Sequence, residues 1–141
     1  MEMEWIRYEG KVLAILLRDT PSTEGRHFVT PEDYILQLGV TKYPAGAHIV
    51  PHVHLESTKS STSFLEFLHF EQGRAVLDLY TEEGKPFASR EVKAGDAVLL
   101  VSGGHGLRVV EPLVICEIKP GPYLGRDKDK RMIDPERGCL V

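Results

Sequence analysis

The sequence predicts a single, mostly antiparallel β domain, and three observations carry that prediction. Gly73, Gly84 and Gly95 recur every 11 residues, each in a polar stretch such as Glu71-Gln72-Gly73-Arg74 or Glu82-Glu83-Gly84-Lys85, which is hairpin spacing. Between these punctuation points lie short runs rich in branched and aromatic residues, the side chains that suit a pleated surface. Nothing between Lys11 and Ile118 sustains a helical apolar period with caps at both ends. Many short antiparallel strands in 141 residues leave two architectures, a β-sandwich or a small barrel, because both bury strand faces and limit exposed edges.

Residues 12–17, an unbroken apolar run, give the first strand of this reading. Residues 18–33 hold Pro21, Gly25 and Pro31 among polar side chains and are expected to form a mobile surface loop. A strand follows at 34–40. The stretch Ser57-Thr58-Lys59-Ser60-Ser61-Thr62-Ser63 has no apolar anchor and is expected to be a second loop. Strands are then expected at 64–70, 75–80, 97–101, 107–110 and 113–118. Apolar residues occupy both parities of Ala97-Val98-Leu99-Leu100-Val101, so that strand is expected to be covered on both faces. The tail from Pro120 combines Pro120-Gly121-Pro122 with the charged run Arg126-Asp127-Lys128-Asp129-Lys130-Arg131, and it reads as a solvated terminal segment. Residues 1–141 are thus expected to be one domain with its core at about 34–118, an N-terminal strand and a C-terminal tail.

Composition narrows the function. The chain carries 17 Lys+Arg against 21 Asp+Glu, a net charge of −4, and no basic block, which disfavours nucleic acid as a partner. No apolar run reaches the length of a membrane span, and Met1-Glu2-Met3-Glu4 lacks the basic start of a secretory signal, so a cytoplasmic protein without membrane association is expected. Cys116 and Cys139 form no CxxC pair, so neither a disulfide framework nor a cysteine zinc site is expected.

Four of the six histidines fall between residues 48 and 69, and His48, His52 and His54 share parity. On an unbroken strand all three would project to one face, and a bulge near Pro51 would still leave His52 and His54 together. Two imidazoles at i and i+2, with a carboxylate and a third imidazole, suit Fe, Mn, Ni, Co or Zn rather than Mg or Ca. Glu66 shares parity with Phe64, Leu68 and Phe70, and a charged side chain facing inward among them needs a partner to offset its desolvation. His105 follows Ser102-Gly103-Gly104 and shares parity with Leu107 and Val109; the glycines either aim it into a cavity or simply make a tight turn. Glu117 shares parity with Leu113 and Ile115, as a cavity carboxylate or as half of a salt bridge at the strand end. His69 has the parity opposite to Glu66 and is expected outside. Surface positions are also expected for His27 and, through an outward salt bridge, for Arg108.

These residues resemble the two motifs of the cupin superfamily. Gly46, His52 and His54 match the front of the first motif, and Glu66 with Gly73 match its back, with 55–63 as an enlarged loop beside the site. Gly95 opens the second motif, which ends at His105 after a turn one residue shorter than the family pattern. The match spans roughly 43–118, about half of the chain. It implies a double-stranded β-helix, the jelly-roll barrel, often a homodimer, with one divalent transition metal held by His52, His54, Glu66 and His105.

Two functions follow from the resemblance. In the first, the metal has open coordination positions and serves a dioxygenase, an isomerase or a lyase acting on a small organic or sugar-like substrate. No acid–base partner has diagnostic spacing; His48, Tyr43, Tyr80 and Glu117 are the candidates, and Tyr123 is a candidate lid. In the second, the barrel binds a sugar or organic anion without turning it over.

Overall fold

The computed structural model describes residues 1–19 and 23–141; Pro21 of the predicted loop lies outside them, as do the side chains of Arg126 and Asp127. Among the described residues the chain is all-β apart from one short helical turn. In order it forms β1 (Glu2–Tyr8), β2 (Lys11–Arg18), β3 (Gly25–Phe28), β4 (Gly39–Lys42), β5 (Glu66–Tyr80), β6 (Pro86–Lys93), β7 (Ala97–Leu100), β8 (Gly104–Ile118), α1 (Arg126–Asp129), β9 (Ile133–Asp134) and β10 (Cys139–Leu140). Among the described residues no helix is long and apolar enough to cross a membrane.

One antiparallel sheet dominates, in the order β1-β2-β7-β5-β6, with β8 on the other edge of β5. A two-residue turn starts it: Glu9 and Gly10 both have positive φ, the twist that matches a tight hairpin, and Tyr8 pairs with Lys11. The sheet then curls into a half-barrel, so that its first and last strands meet. Arg90 on β6 donates from Nε and Nη2 to Glu4 on β1 at 2.8 and 2.5 Å, and the Tyr8 and Phe87 rings meet edge to face at 5.1 Å. Inside the curl lie Ile6, Ala14, Leu16, Leu68, Phe70, Leu77, Val98 and Leu100; outside, Ile15, Leu17, Leu65 and Leu99 are covered by Tyr34, Ile35, Leu36 and Leu38. Both faces of β2 and β7 are therefore dry, as the apolar run at 97–101 predicts.

The long strand β5 departs from the expected two strands. Its burial alternates on even residues from Glu66 to Phe70 and on odd residues from Ala75 to Leu79, and the pairing with β8 shifts register between the two halves. Gly73 is thus the centre of a bulge and not of a hairpin turn. The bulge rotates the strand by one side-chain position and lets one edge of β5 pair with β7 in its first half and β6 in its second. The expected strands at 107–110 and 113–118 fuse in the same way into β8. At the corner, Asp96 is 3% exposed; it accepts from Arg18 Nη1 at 2.8 Å and from the Lys93 backbone N–H at 3.0 Å.

Three further expectations are corrected. Only Gly39–Lys42 is strand in the 34–40 region, because residues 34–38 bury their side chains irregularly against β2 and β7. Residues 43–63 form no strand, so the shared parity of His48, His52 and His54 has no pleat to act on. The tail is not simply solvated: β9 and β10 pair, and Ile133 and Leu140 turn toward the body of the domain.

On the outer face, Arg108 bonds to Asp78 through Nε and Nη2 at 2.7 and 3.0 Å, the outward salt bridge expected of it. The Arg108 hydrogen bond is the main reason that the Asp78 carboxyl titrates below its ordinary 3.8, helped by Ser89 and opposed by burial. The folded state therefore binds this proton less readily than the unfolded chain, and the stabilisation is complete above the unfolded value and lost as pH falls through the folded one. Asp78→Asn is expected to cost about 1 kcal/mol at neutral pH, a small figure because Arg108 is largely exposed. Urea unfolding at a series of pH values should show parent and variant converging in acid; a gap that persists there would remove the ion pair as its cause.

Candidate functional site

At one end of the half-barrel is a cleft of about 860 Å³. Its buried floor is built by Glu66 at the start of β5 and Leu100 at the end of β7, His105 at the start of β8 and Lys119 line it above them, and the exposed Lys130 and Arg131 stand on its rim. Glu66 occupies an even, inward position of β5, on the same face as Leu68 and Phe70 and opposite Leu100 of β7, and only 4% of the residue is exposed. His105 is set by the glycine turn before it. Gly103 has a φ of +71°, and a Cβ there would lie 2.3 Å from the Tyr80 carbonyl oxygen; a Cβ on Gly104 would lie 2.3 Å from Ile133 Cδ1. At Gly103 the near atom is backbone and φ is positive, so only glycine fits; at Gly104 the near atom is the end of the Ile133 side chain, and β8 then enters its pairing with His105 opposite Leu79.

His105 Nε2 lies 3.2 Å from Glu66 Oε2, and the His105 side chain is 30% exposed, open to the cleft. The hydrogen bond from His105 holds the Glu66 carboxyl below its ordinary value against the opposing effect of burial, and the charges of His105, Lys119 and Lys130 act in the same direction. Glu66 is therefore an anion at the base of the cleft, with an imidazole beside it. Such a pair can accept or donate a proton, orient a bound hydroxyl or carbonyl, or offer an oxygen and a nitrogen to a metal.

His52 and His54 are placed together but elsewhere. Their rings are 5.2 Å apart and nearly perpendicular, and His52 Nδ1 lies 2.8 Å from the Val50 carbonyl oxygen. Both are exposed, as is His48, and no residue of 43–63 lines the cleft. The structure thus forms two pairs, Glu66 with His105 and His52 with His54, and among the described residues no three His, Cys, Asp or Glu side chains converge as a metal site. Of the remaining candidates, Tyr80 and Tyr123 line the cleft, Tyr43 is exposed away from it, and Glu117, His69 and His27 take outward positions. Glu117 is exposed and paired with Lys119, His69 Nδ1 contacts Glu71 at 2.8 Å, and His27 lies near Thr23 on the surface.

Of the tail, sequence reasoning named only Tyr123, as a candidate lid, and missed the rest of its contribution. Tyr123 lines the cleft, with Lys119 Nζ 5.0 Å from the centre of its ring, and Lys130 and Arg131 come from the segment between α1 and β9. The signal was present in Ile133 and Leu140, apolar residues spaced around Gly138 within an otherwise charged stretch. No family model matches this chain, and no curated protein or solved structure matches it.

Proposed function

We propose that this chain is a cupin-like double-stranded β-helix holding one divalent transition metal, Fe, Mn, Ni, Co or Zn, through Glu66, His105, His52 and His54. In this reading it acts on a small organic or sugar-like molecule in the cleft. One observation carries it: a carboxylate only 4% exposed and kept anionic sits 3.2 Å from an imidazole at the base of a cleft of about 860 Å³. A buried charge is costly, and a site that retains one is a functional candidate. The pair fits a metal in donor chemistry and supplies two of the four donors.

The other two lie on a segment with its own reason to move. Ile49, Val50, Val53 and Leu55 are at least 53% exposed, an apolar surface without cover, and the half-barrel has an open end beside Glu66. Laying that segment across the cleft would bury those side chains, close the barrel and carry His52 and His54 toward Glu66 and His105. A metal bound there would polarise a carbonyl or enediol, for isomerase or lyase chemistry, or support oxygenation of a chelating substrate. The protein's own contribution is to orient His105 through Glu66, keep water from the carboxylate, and hold the substrate between the floor and the tail.

Metal content per chain, measured on the untagged protein, tests this directly. About one ion is expected in the parent and in His69→Ala, and far less in His52→Ala and Glu66→Ala. Equal content in all of them would refute the ligand set. The second reading, a metal-free binding barrel, is favoured by Glu66 and His105 already being partners of each other. Its mark would be no uptake of any of the five metals, together with a ligand-induced rise in unfolding temperature.

A further inference from the structure

We infer that the cleft takes a small organic anion, its carboxylate or phosphate group held by Lys130 and Arg131 and its uncharged part directed to Glu66 and His105. This rests on the reading of the cleft as a ligand site and adds the chemical class of the ligand. Three cations line the cleft, Lys119, Lys130 and Arg131, against three acids, Glu66, Glu82 and Asp129. The partnerships are unequal. Glu66 is engaged by His105 and Glu82 by Lys11 at 3.0 Å, while Lys119 is held by Glu117. Among the described residues Lys130 and Arg131 make no ion pair; the acids left to oppose them are Asp129 and, through the longer-range attraction of Lys130, Glu66.

These cations are placed by structure and not by a free tail. Immediately after them, Met132 accepts the Val141 backbone N–H at 2.9 Å, Ile133 packs on Gly104, and the Cys139–Leu140 backbone lies against Gly84. The hairpin β9–β10 therefore fixes the stretch that carries Lys130 and Arg131 at the mouth of the cleft. Two adjacent cations repel one another, and an oxyanion between them relieves that repulsion while gaining charge-assisted hydrogen bonds, with the guanidinium offering a fork to a carboxylate or phosphate. Phe64 and Tyr123 supply apolar wall, and the volume suits a ligand of metabolite size. The chain as a whole is net negative, so the preference is local to the cleft.

Isothermal titration with inorganic phosphate, citrate and glucose, at an ionic strength held constant with sodium chloride, tests the inference and separates the two anion classes. Saturable binding of phosphate or citrate but not glucose is expected, with affinity falling as salt rises. Lys130→Gln/Arg131→Gln should weaken anion binding by about tenfold or more, whereas Lys93→Gln on the outer strand β6 should not. Binding of glucose as tight as that of either anion, or full anion binding by the double variant, would overturn the inference. Metal content is read on the same samples. Anion binding without metal would strike the metal reading alone, and metal without anion binding would strike this inference alone.

Discussion

Gly73→Ala is expected to cost about 4 kcal/mol or more and to leave the chain largely unfolded at moderate urea. A Cβ at this position would lie 2.0 Å from the Pro112 carbonyl oxygen, 2.8 Å from the Pro112 carbonyl carbon and 3.1 Å from the Glu111 carbonyl oxygen. All three are backbone atoms of β8, so no side-chain rotation relieves the clash. The φ of +84° adds the strain of a left-handed alanine. Gly95→Ala separates the two causes: its φ is +91°, but nothing lies within 4 Å of the added carbon. That variant should cost only about 1 to 2 kcal/mol, the conformational part alone. Urea unfolding of both would show the difference, and equal losses would mean that β8 does not approach Gly73 this closely. The site depends on the same residue. The bulge lets β5 place Glu66 on the inner face through even residues and then pack Leu77 and Leu79, odd residues, on that face too.

Glu66 and His105 were legible in the sequence because each rests on a local rule. From Glu66 to Phe70 the strand is regular, so a charged residue in step with Leu68 and Phe70 had to face inward. Gly103 and Gly104 before His105 mark a tight turn or an aimed side chain, and the close approach of Gly103 to the Tyr80 carbonyl oxygen is that turn. Gly73 was misread because a hairpin turn and a bulge share one local signature, an exposed polar stretch around a glycine of positive φ. Only the partner strand, here Glu111 and Pro112, distinguishes them. The strand β1 escaped notice for a different reason. Its acids Glu2 and Glu4 interrupt the apolar pattern of a strand, although Tyr8-Glu9-Gly10-Lys11 holds a two-residue turn before the apolar run of β2. Alternation at His52 and His54 predicted a strand face, but alternation specifies a face only where a neighbouring strand supplies hydrogen bonds, and residues 43–63 have none. The tail was obscured by its charges. Its position is decided by Ile133 on Gly104, a contact across the fold that no local pattern contains.

Glu66→Leu is expected to abolish metal retention while leaving unfolding free energy within about 1 to 2 kcal/mol of the parent. The two parts of this expectation separate a site from a structural ion pair. Glu66 shares its strand face with Leu68 and Phe70 and lies opposite Leu100, and leucine places a branched apolar side chain of similar volume in that position. The desolvation penalty of the carboxylate disappears with it. His105 is not stranded by the loss, because its side chain is 30% exposed and water can replace the carboxylate as its partner. Glu66→Ala is different: it leaves unfilled space in the base of the cleft and should cost about 2 to 4 kcal/mol. A pair kept for the fold would behave otherwise, with leucine costing about 3 kcal/mol or more because the interaction itself was holding β5 to β8. Urea unfolding of Glu66→Leu and Glu66→Ala, with element analysis of each, therefore decides the role of the pair. Near-parental stability in the leucine variant with metal lost assigns Glu66 to the site. A severe loss of stability in both, with metal content unchanged per folded chain, would assign it to the framework and withdraw the metal centre from this end of the barrel.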